Sequence, residues 1–219
     1  WPGDYGGPMF LIPGLIIAAF ITNTPFEKPE QVLIIRNLLN HQNEDGGWGI
    51  HIEGESTMFG TVMQYVTLRL LGKSANESEI IKASTWIKQN GGATGLPAWG
   101  KFYLSLLNLY EWEGNDSLLP ELWKFPKWLP IHPGKYWCHN RMVYLPMSYC
   151  YGHRIKATLT PLLKEIRKEI YIEEYEEIRW NKVRQTTCNK DIFHPVHWGY
   201  KTMMFFGNAY EKIKSKRLF

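Results

Sequence analysis

Cysteine is scarce: Cys138, Cys150 and Cys188 are the only three among 219 residues, and no CxxC occurs. They build no disulfide framework, so free thiols in a reducing compartment are expected. Cys138 and His139 are adjacent, and no second pair stands at ligand spacing, which removes a zinc site. A Cys/His nucleophile pair fails in the same way, because neighbouring residues of a helix point apart. Long apolar runs are missing too. Within the uncharged stretch from Tyr5 to Phe26, the dense apolar part Pro8 to Ile21 holds 14 residues and two prolines. That is too short for a bilayer core of roughly 30 Å and predicts a buried helix starting near Pro13. No secretory signal is visible. Charge of one sign is lacking as well. The formal net charge is +4, with Lys and Arg spread out until the tail Lys212, Lys214, Lys216, Arg217. The tail reads as a solvated end, and nucleic acid is not an expected partner.

Aromatics are abundant instead. Ten Trp, twelve Tyr and ten Phe make 15% of a chain that is 44% apolar. That exceeds what a core of this size needs for packing, so some rings are expected to line something. The chain opens Trp1-Pro2-Gly3 with no initiator Met and reads as a piece of something longer.

The organising stretch is Gln42-Asn43-Glu44-Asp45-Gly46-Gly47-Trp48-Gly49, between two runs of helical periodicity. Glu44 and Asp45 are a conceivable acid/base pair, but three glycines around one tryptophan predict a sharp turn that pins a large ring. The expected device is a clasp, with Gln42 bonding free backbone groups at the next helix start and the Trp48 indole covering a helix joint.

Periodicity predicts helices over Glu30 to Asn40 (Val32, Ile35, Leu38 and Leu39 inward), from Ser56 or Thr57 to Gly72 (Phe59, Met63, Val66, Leu70), and over Glu79 to Gln89 (Ile80, Ala83, Trp86, Ile87). Further helices are predicted over Lys101 to Tyr110, Arg141 to Gly152, Thr160-Pro161 to Ile170, and His197 to Ile213. Tyr171 to His194 carries no clear pattern. Helix, Gln42, glycines, Trp48-Gly49, helix is echoed by helix, Gln89, glycines, Trp99-Gly100, helix, with the tryptophans 51 positions apart. Such spacing points to stacked helical hairpins, either a solenoid or a closed α/α ring, in an all-α fold. Leu118 to Pro133 is tryptophan-rich and broken by prolines, and is either a packed loop or a patch entering a membrane interface.

The densest cluster for chemistry is Tyr136 to Tyr144. His139 reads either as a hydrogen-bonded core histidine or as an imidazole among rings that orients polar groups or accepts a proton in an apolar cavity. The second reading suits carbocation chemistry, in which each ring face stabilises positive charge by roughly 0.5–2 kcal/mol.

Asp4-Tyr5-Gly6-Gly7-Pro8, Gln42 through Gly60, Trp99-Gly100-Lys101-Phe102, Pro130 to Pro133 and Trp137 through Tyr149 together resemble the oxidosqualene cyclases, over nearly the whole chain. The resemblance implies a partial α/α-barrel, with residues 1–219 forming part of the N-terminal barrel domain of a two-domain, monotopic enzyme of the endoplasmic reticulum membrane. The implied substrate is 2,3-oxidosqualene, and neither metal nor cofactor is implied. Gln42, Gly47 and Trp48 match the family's QW clasp. Tyr5, Trp99, Trp137 and His139 match substrate-facing positions. Asn140, where many relatives carry cysteine, and Tyr144 match the substrate channel. His139 resembles the sterol-forming branch, of cycloartenol or lanosterol type. The family's Asp-Cys-Thr-Ala-Glu acid motif is absent, since Asp4, Asp45, Asp116 and Asp191 all lack that context. The chain is therefore expected to need the rest of the enzyme for activity. A second reading is a non-catalytic lipid-binding or membrane-associated scaffold derived from the half barrel.

Overall fold

A computed structural model describes residues 6–213, with side chains through Glu211; Tyr5 lies outside the described residues. The helices are α1 (Leu11–Ile21), α2 (Lys28–Asn40), α3 (Met58–Leu70), α4 (Ser78–Gln89), α5 (Ala98–Leu106), α6 (Cys138–His153), α7 (Pro161–Ile170) and α8 (Trp198–Ile213). Short 3-10 turns join several of them. Among the described residues there is no strand, only an isolated bridge between Pro8 and His51, so the all-α expectation holds.

α3 is the hub, packing against α1, α2, α4, α5 and α7. Thr57 caps it by accepting the Gly60 amide at 2.9 Å. It closes where Gly72 takes φ +91 and the Lys73 amide donates back to Leu68 at 3.0 Å. The sequence predicts one apolar stripe; eleven of its thirteen residues are buried instead. A helix surrounded on all sides must satisfy its polar side chains internally. Arg69 donates to both carboxylate oxygens of Glu169 at 3.0 Å, and the Tyr65 hydroxyl donates to the same carboxylate at 2.7 Å, which ties α3 to α7.

α4 buries Ile80, Ala83, Trp86 and Ile87 as its spacing predicts. α7 buries Leu163, Ile166 and Ile170 behind a Thr160 cap. On α2, Leu38 is fully buried and Ile35 and Leu39 pack against the core, whereas Val32 is exposed, because α2 meets only one side of the hub. α5 begins at Ala98, three residues before the predicted start, because Pro97 supplies the entry; it stops before Asn108, whose φ of +59 is left-handed. The shift puts Trp99 inside a helix. α6 likewise begins at Cys138, with Trp137 at its N-cap, so His139 and Asn140 occupy its first turn.

The turn before α3 is a clasp of wider reach than predicted. The Gln42 side-chain amide donates to Gly46 at 2.8 Å within the turn and to Glu79 at 2.9 Å on α4, not to the helix that follows next in the chain. Trp48 is fully buried, and its indole N–H donates to the Leu38 carbonyl of α2 at 2.7 Å. A Cβ on Gly47 would fall 2.6 Å from Ser56, so only glycine passes there. Asp45 completes the joint, with one oxygen accepting from Ser56 and the Gly47 amide and the other from the Trp86 indole at 2.8 Å. Burial acts to raise its pKa, but these bonds outweigh it and hold the carboxyl below its ordinary value. Asp45 is therefore a tie and not an acid.

Candidate functional site

An apolar cleft of about 770 Å³ opens among the described residues. Phe10, at the N-cap of α1, and Leu11 and Leu15 of α1 form one wall, Ile50 and Phe59 come from either side of the α3 start, and α5 contributes Trp99 and Tyr103. Phe193 and Asp191 complete it from the segment before α8. Trp99 and Tyr103 sit one helical turn apart, with ring centroids 6.2 Å apart and planes tilted by 32°. Trp99 is 48% exposed, a ring lining a surface and not a buried clasp like Trp48. Gln89, the residue that echoes Gln42 before Trp99, is exposed on α4.

Asp191 is the one carboxyl among the described residues of the cleft lining, and it lies in the segment whose sequence carried no pattern. Its two oxygens accept the Met58 and Phe59 amides at 2.6 and 2.8 Å, the first two of α3. Burial pushes its pKa above the ordinary carboxylate value, while the amide bonds act the other way. A proton on either oxygen would sacrifice one of those bonds, so the geometry makes Asp191 a cap across 133 positions of chain and not a free acid.

The second aromatic group lies at the start of α6. Trp137 is 73% exposed, and its ring stands 4.6 Å from that of His139 in an edge contact. Asn140 is exposed beside them. Tyr144, one turn on, is half-buried between Trp123 and Tyr136, and its hydroxyl donates to the Leu119 carbonyl at 2.9 Å. Burial raises its phenol pKa. Trp137 and His139 are thus brought together, whereas the cleft containing Trp99 is lined by none of Trp137, His139, Asn140 or Tyr144. Trp128, 75% exposed, and the exposed Phe125 and Ile131 precede this group in the irregular segment, which is folded into 3-10 turns at Pro120–Lys124 and Pro133–Lys135.

Among the described residues no group of three or more His, Cys, Asp or Glu side chains could hold a metal, and the three cysteines are free thiols. No helix among them is long and apolar enough to cross a membrane. The chemistry available here is binding of an apolar molecule against ring faces. Sequence reasoning missed Asp191 and the buried Lys101, whose partners are all distant backbone groups.

A family model described as the squalene-hopene cyclase N-terminal domain matches residues 14–214. A cycloartenol synthase of Dictyostelium discoideum is 50% identical over 219 residues, all of this chain and 31% of that protein. A lanosterol synthase of Homo sapiens is 43% identical over 218 residues, again the whole chain but 30% of that protein. One from Pneumocystis carinii is 50% identical over 196 residues, covering 89% of this chain and 27% of its own length. The chain therefore spans less than a third of the relatives it matches.

Proposed function

Because the chain belongs to the squalene-hopene cyclase N-terminal domain family, we propose that it forms part of a sterol-forming oxidosqualene cyclase that closes 2,3-oxidosqualene to cycloartenol or lanosterol. The observation that carries this reading is 50% identity, across every residue of the chain, to a cycloartenol synthase. An aromatic cleft without a free acid supports it. Rings such as Trp99 can stabilise a passing cation by roughly 0.5–2 kcal/mol each. The only carboxyl among the described residues of the cleft lining, Asp191, is occupied by two amides.

In this reading residues 1–219 are part of the N-terminal α/α-barrel domain, and the acid that opens the epoxide comes from the other domain of the enzyme. Tyr5, Trp99, Trp137 and His139 face substrate along its course, Asn140 and Tyr144 line its channel, and Gln42, Gly47 and Trp48 act as one of several QW-type clasps. The exposed Phe125, Trp128 and Ile131 rest in the interface of the endoplasmic reticulum membrane, where an apolar substrate would enter. The relatives compared are synthases and lend a non-catalytic scaffold no support.

The test is expression of the complete reading frame in a yeast that lacks its own cyclase, followed by identification of the alcohol formed. Cycloartenol or lanosterol is expected, and an expressed, folded protein that forms no cyclised product would refute the reading. His139→Ala is expected to change the product mixture, and the 219-residue chain alone is expected to yield no sterol.

A further inference from the structure

Lys101 is 2% exposed, yet its ammonium is fully satisfied. It donates to the carbonyls of Val183, Arg184 and Thr186 at 2.7, 2.7 and 2.9 Å. An ammonium has three hydrogens, and each has an acceptor. All three acceptors belong to a stretch that no α-helix supports, since only two 3-10 turns, Trp180–Lys182 and Asn189–Asp191, lie between α7 and α8. Such a stretch is held by the bonds other elements make to it.

Those bonds lead in two directions. Downstream of the Lys101 cradle, the Cys188 amide donates to Gly95 at 2.8 Å, Asp191 takes the two amides of α3, and Phe193 reaches the cleft. From Arg184 itself, the side chain donates to Asn208 at 2.7 Å and pairs with Glu211 at 3.1 Å, both on α8. Lys101 thus stands between Trp99 and Tyr103 on α5 but on the opposite face of that helix, and its cradle is where the two sets of contacts begin.

We propose that Lys101 is a positioning residue for the cleft, clamping segment 183–186 onto α5 and thereby holding Asp191 and Phe193 in the wall they share with Trp99. Burial lowers the ammonium pKa to about 8, with Asp116 acting in the opposite direction. The three carbonyls also favour the cation, so it is the charged form that the cradle fits. A near-isosteric, uncharged side chain such as methionine fills the space and removes the shared donor of the three carbonyls, of which that of Val183 still accepts the Thr186 amide at 3.2 Å. The consequence for catalysis rests on the cyclase reading above; the clamp itself does not.

The experiment compares Lys101→Met with Leu104→Ala, a core truncation on the same helix, in the full-length protein that carries this chain. Limited trypsin digestion is followed at Lys182 and Arg184, with Arg36 of α2 and Lys82 of α4 as reference sites. Lys101→Met is expected to speed cleavage at the segment about tenfold over the reference sites, and Leu104→Ala, at a similar loss in Tm, is not. Equal cleavage in the two variants, or none above wild type, overturns the proposal. Should Lys101→Met fail to fold, hydrogen exchange of the wild type decides. The amides of Cys188, Met58 and Phe59 are expected to open at rates within about threefold of one another and faster than those in the middle of α3, whereas unrelated rates overturn the clamp. In the cyclase assay, Lys101→Met is expected to raise KM several-fold and shift the product ratio. Segment release with unchanged products leaves the clamp standing and removes the cleft from the reaction. A wild type that cyclises nothing refutes the function, and the digestion still decides the clamp.

Discussion

Trp48→Ala isolates the clasp. The ring is fully buried, so its removal costs the lost apolar burial plus the cavity left behind, about 3–5 kcal/mol for a large aromatic truncated to alanine. The indole also loses its 2.7 Å bond to the Leu38 carbonyl. That carbonyl still accepts the His41 amide at 3.2 Å, so it is not left bare, and the bond adds only about 1 kcal/mol. The sum is roughly 4–6 kcal/mol. At about 2–4 °C per kcal/mol for a chain of this size, Tm should fall by roughly 10–20 °C. Trp48→Phe keeps most of the ring and loses the bond, so it should cost about 1–2 kcal/mol. The half-exposed Trp99 serves as the contrast, because Trp99→Ala opens a surface and not a cavity and should cost about 1 kcal/mol. Thermal and urea unfolding of the three variants measure this order. A Trp99→Ala loss as large as that of Trp48→Ala would refute the distinction drawn between the two tryptophans of the 51-residue spacing, and a Trp48→Ala loss below about 1 kcal/mol would refute the clasp.

Asp45 adds an acid-sensitive contribution. Its folded carboxyl lies below its unfolded value because bonds from Ser56, Gly47 and Trp86 outweigh burial. The stabilisation is therefore present above the unfolded pKa of about 3.9 and is lost as pH falls through the folded value. Asp45→Asn should flatten Tm against pH between about 2.5 and 5, and curves parallel to wild type would count against it. Glu169→Ala leaves Arg69 and the Tyr65 hydroxyl without their shared acceptor and should cost about 3 kcal/mol in urea unfolding. His139→Ala, at an exposed position, should change stability by under about 0.5 kcal/mol, so a large drop in Tm would show a packing role that its exposure does not suggest.

Local signals were readable and distant ones were not. Thr57, Gly72 and Thr160 mark helix ends through bonds spanning a few residues, and the structure uses each as such. Ile80, Ala83, Trp86 and Ile87 follow a period that only a helix satisfies. α5 was misplaced because its apolar run continues through Leu109 and Tyr110, which are buried outside the helix after the left-handed Asn108. The polar burial on α3 was hidden for a related reason, since Gln64, Tyr65 and Arg69 break an apolar stripe and find their partners elsewhere in the chain. Asp191 and Lys101 have no local signature at all. One binds amides 132 and 133 positions away and the other carbonyls 82 to 85 positions away, and no spacing rule reaches that far.

Clasp and cleft meet at one joint. The Trp48 carbonyl accepts the Thr57 amide at 3.0 Å, and a Cβ on Gly60 would fall 2.3 Å from the same carbonyl, so the turn lies directly against the first turn of α3. Thr57 caps that turn from one side and Asp191 from the other. Ile50, two residues after Trp48, and Phe59, the second residue of α3, then line the cleft. The carboxylate in the clasp and the carboxylate in the cleft are both fully engaged in holding this joint. Among the described lining residues that leaves ring faces as the groups open to an apolar guest. It also separates two classes of residue. Trp48 and Asp45 bear on the cleft only through the fold, so any effect of theirs on an apolar guest must arrive together with a loss of stability. Trp137 and His139 stand exposed at a helix start, so a substitution there tests an effect on an apolar guest with the fold left as stable as before.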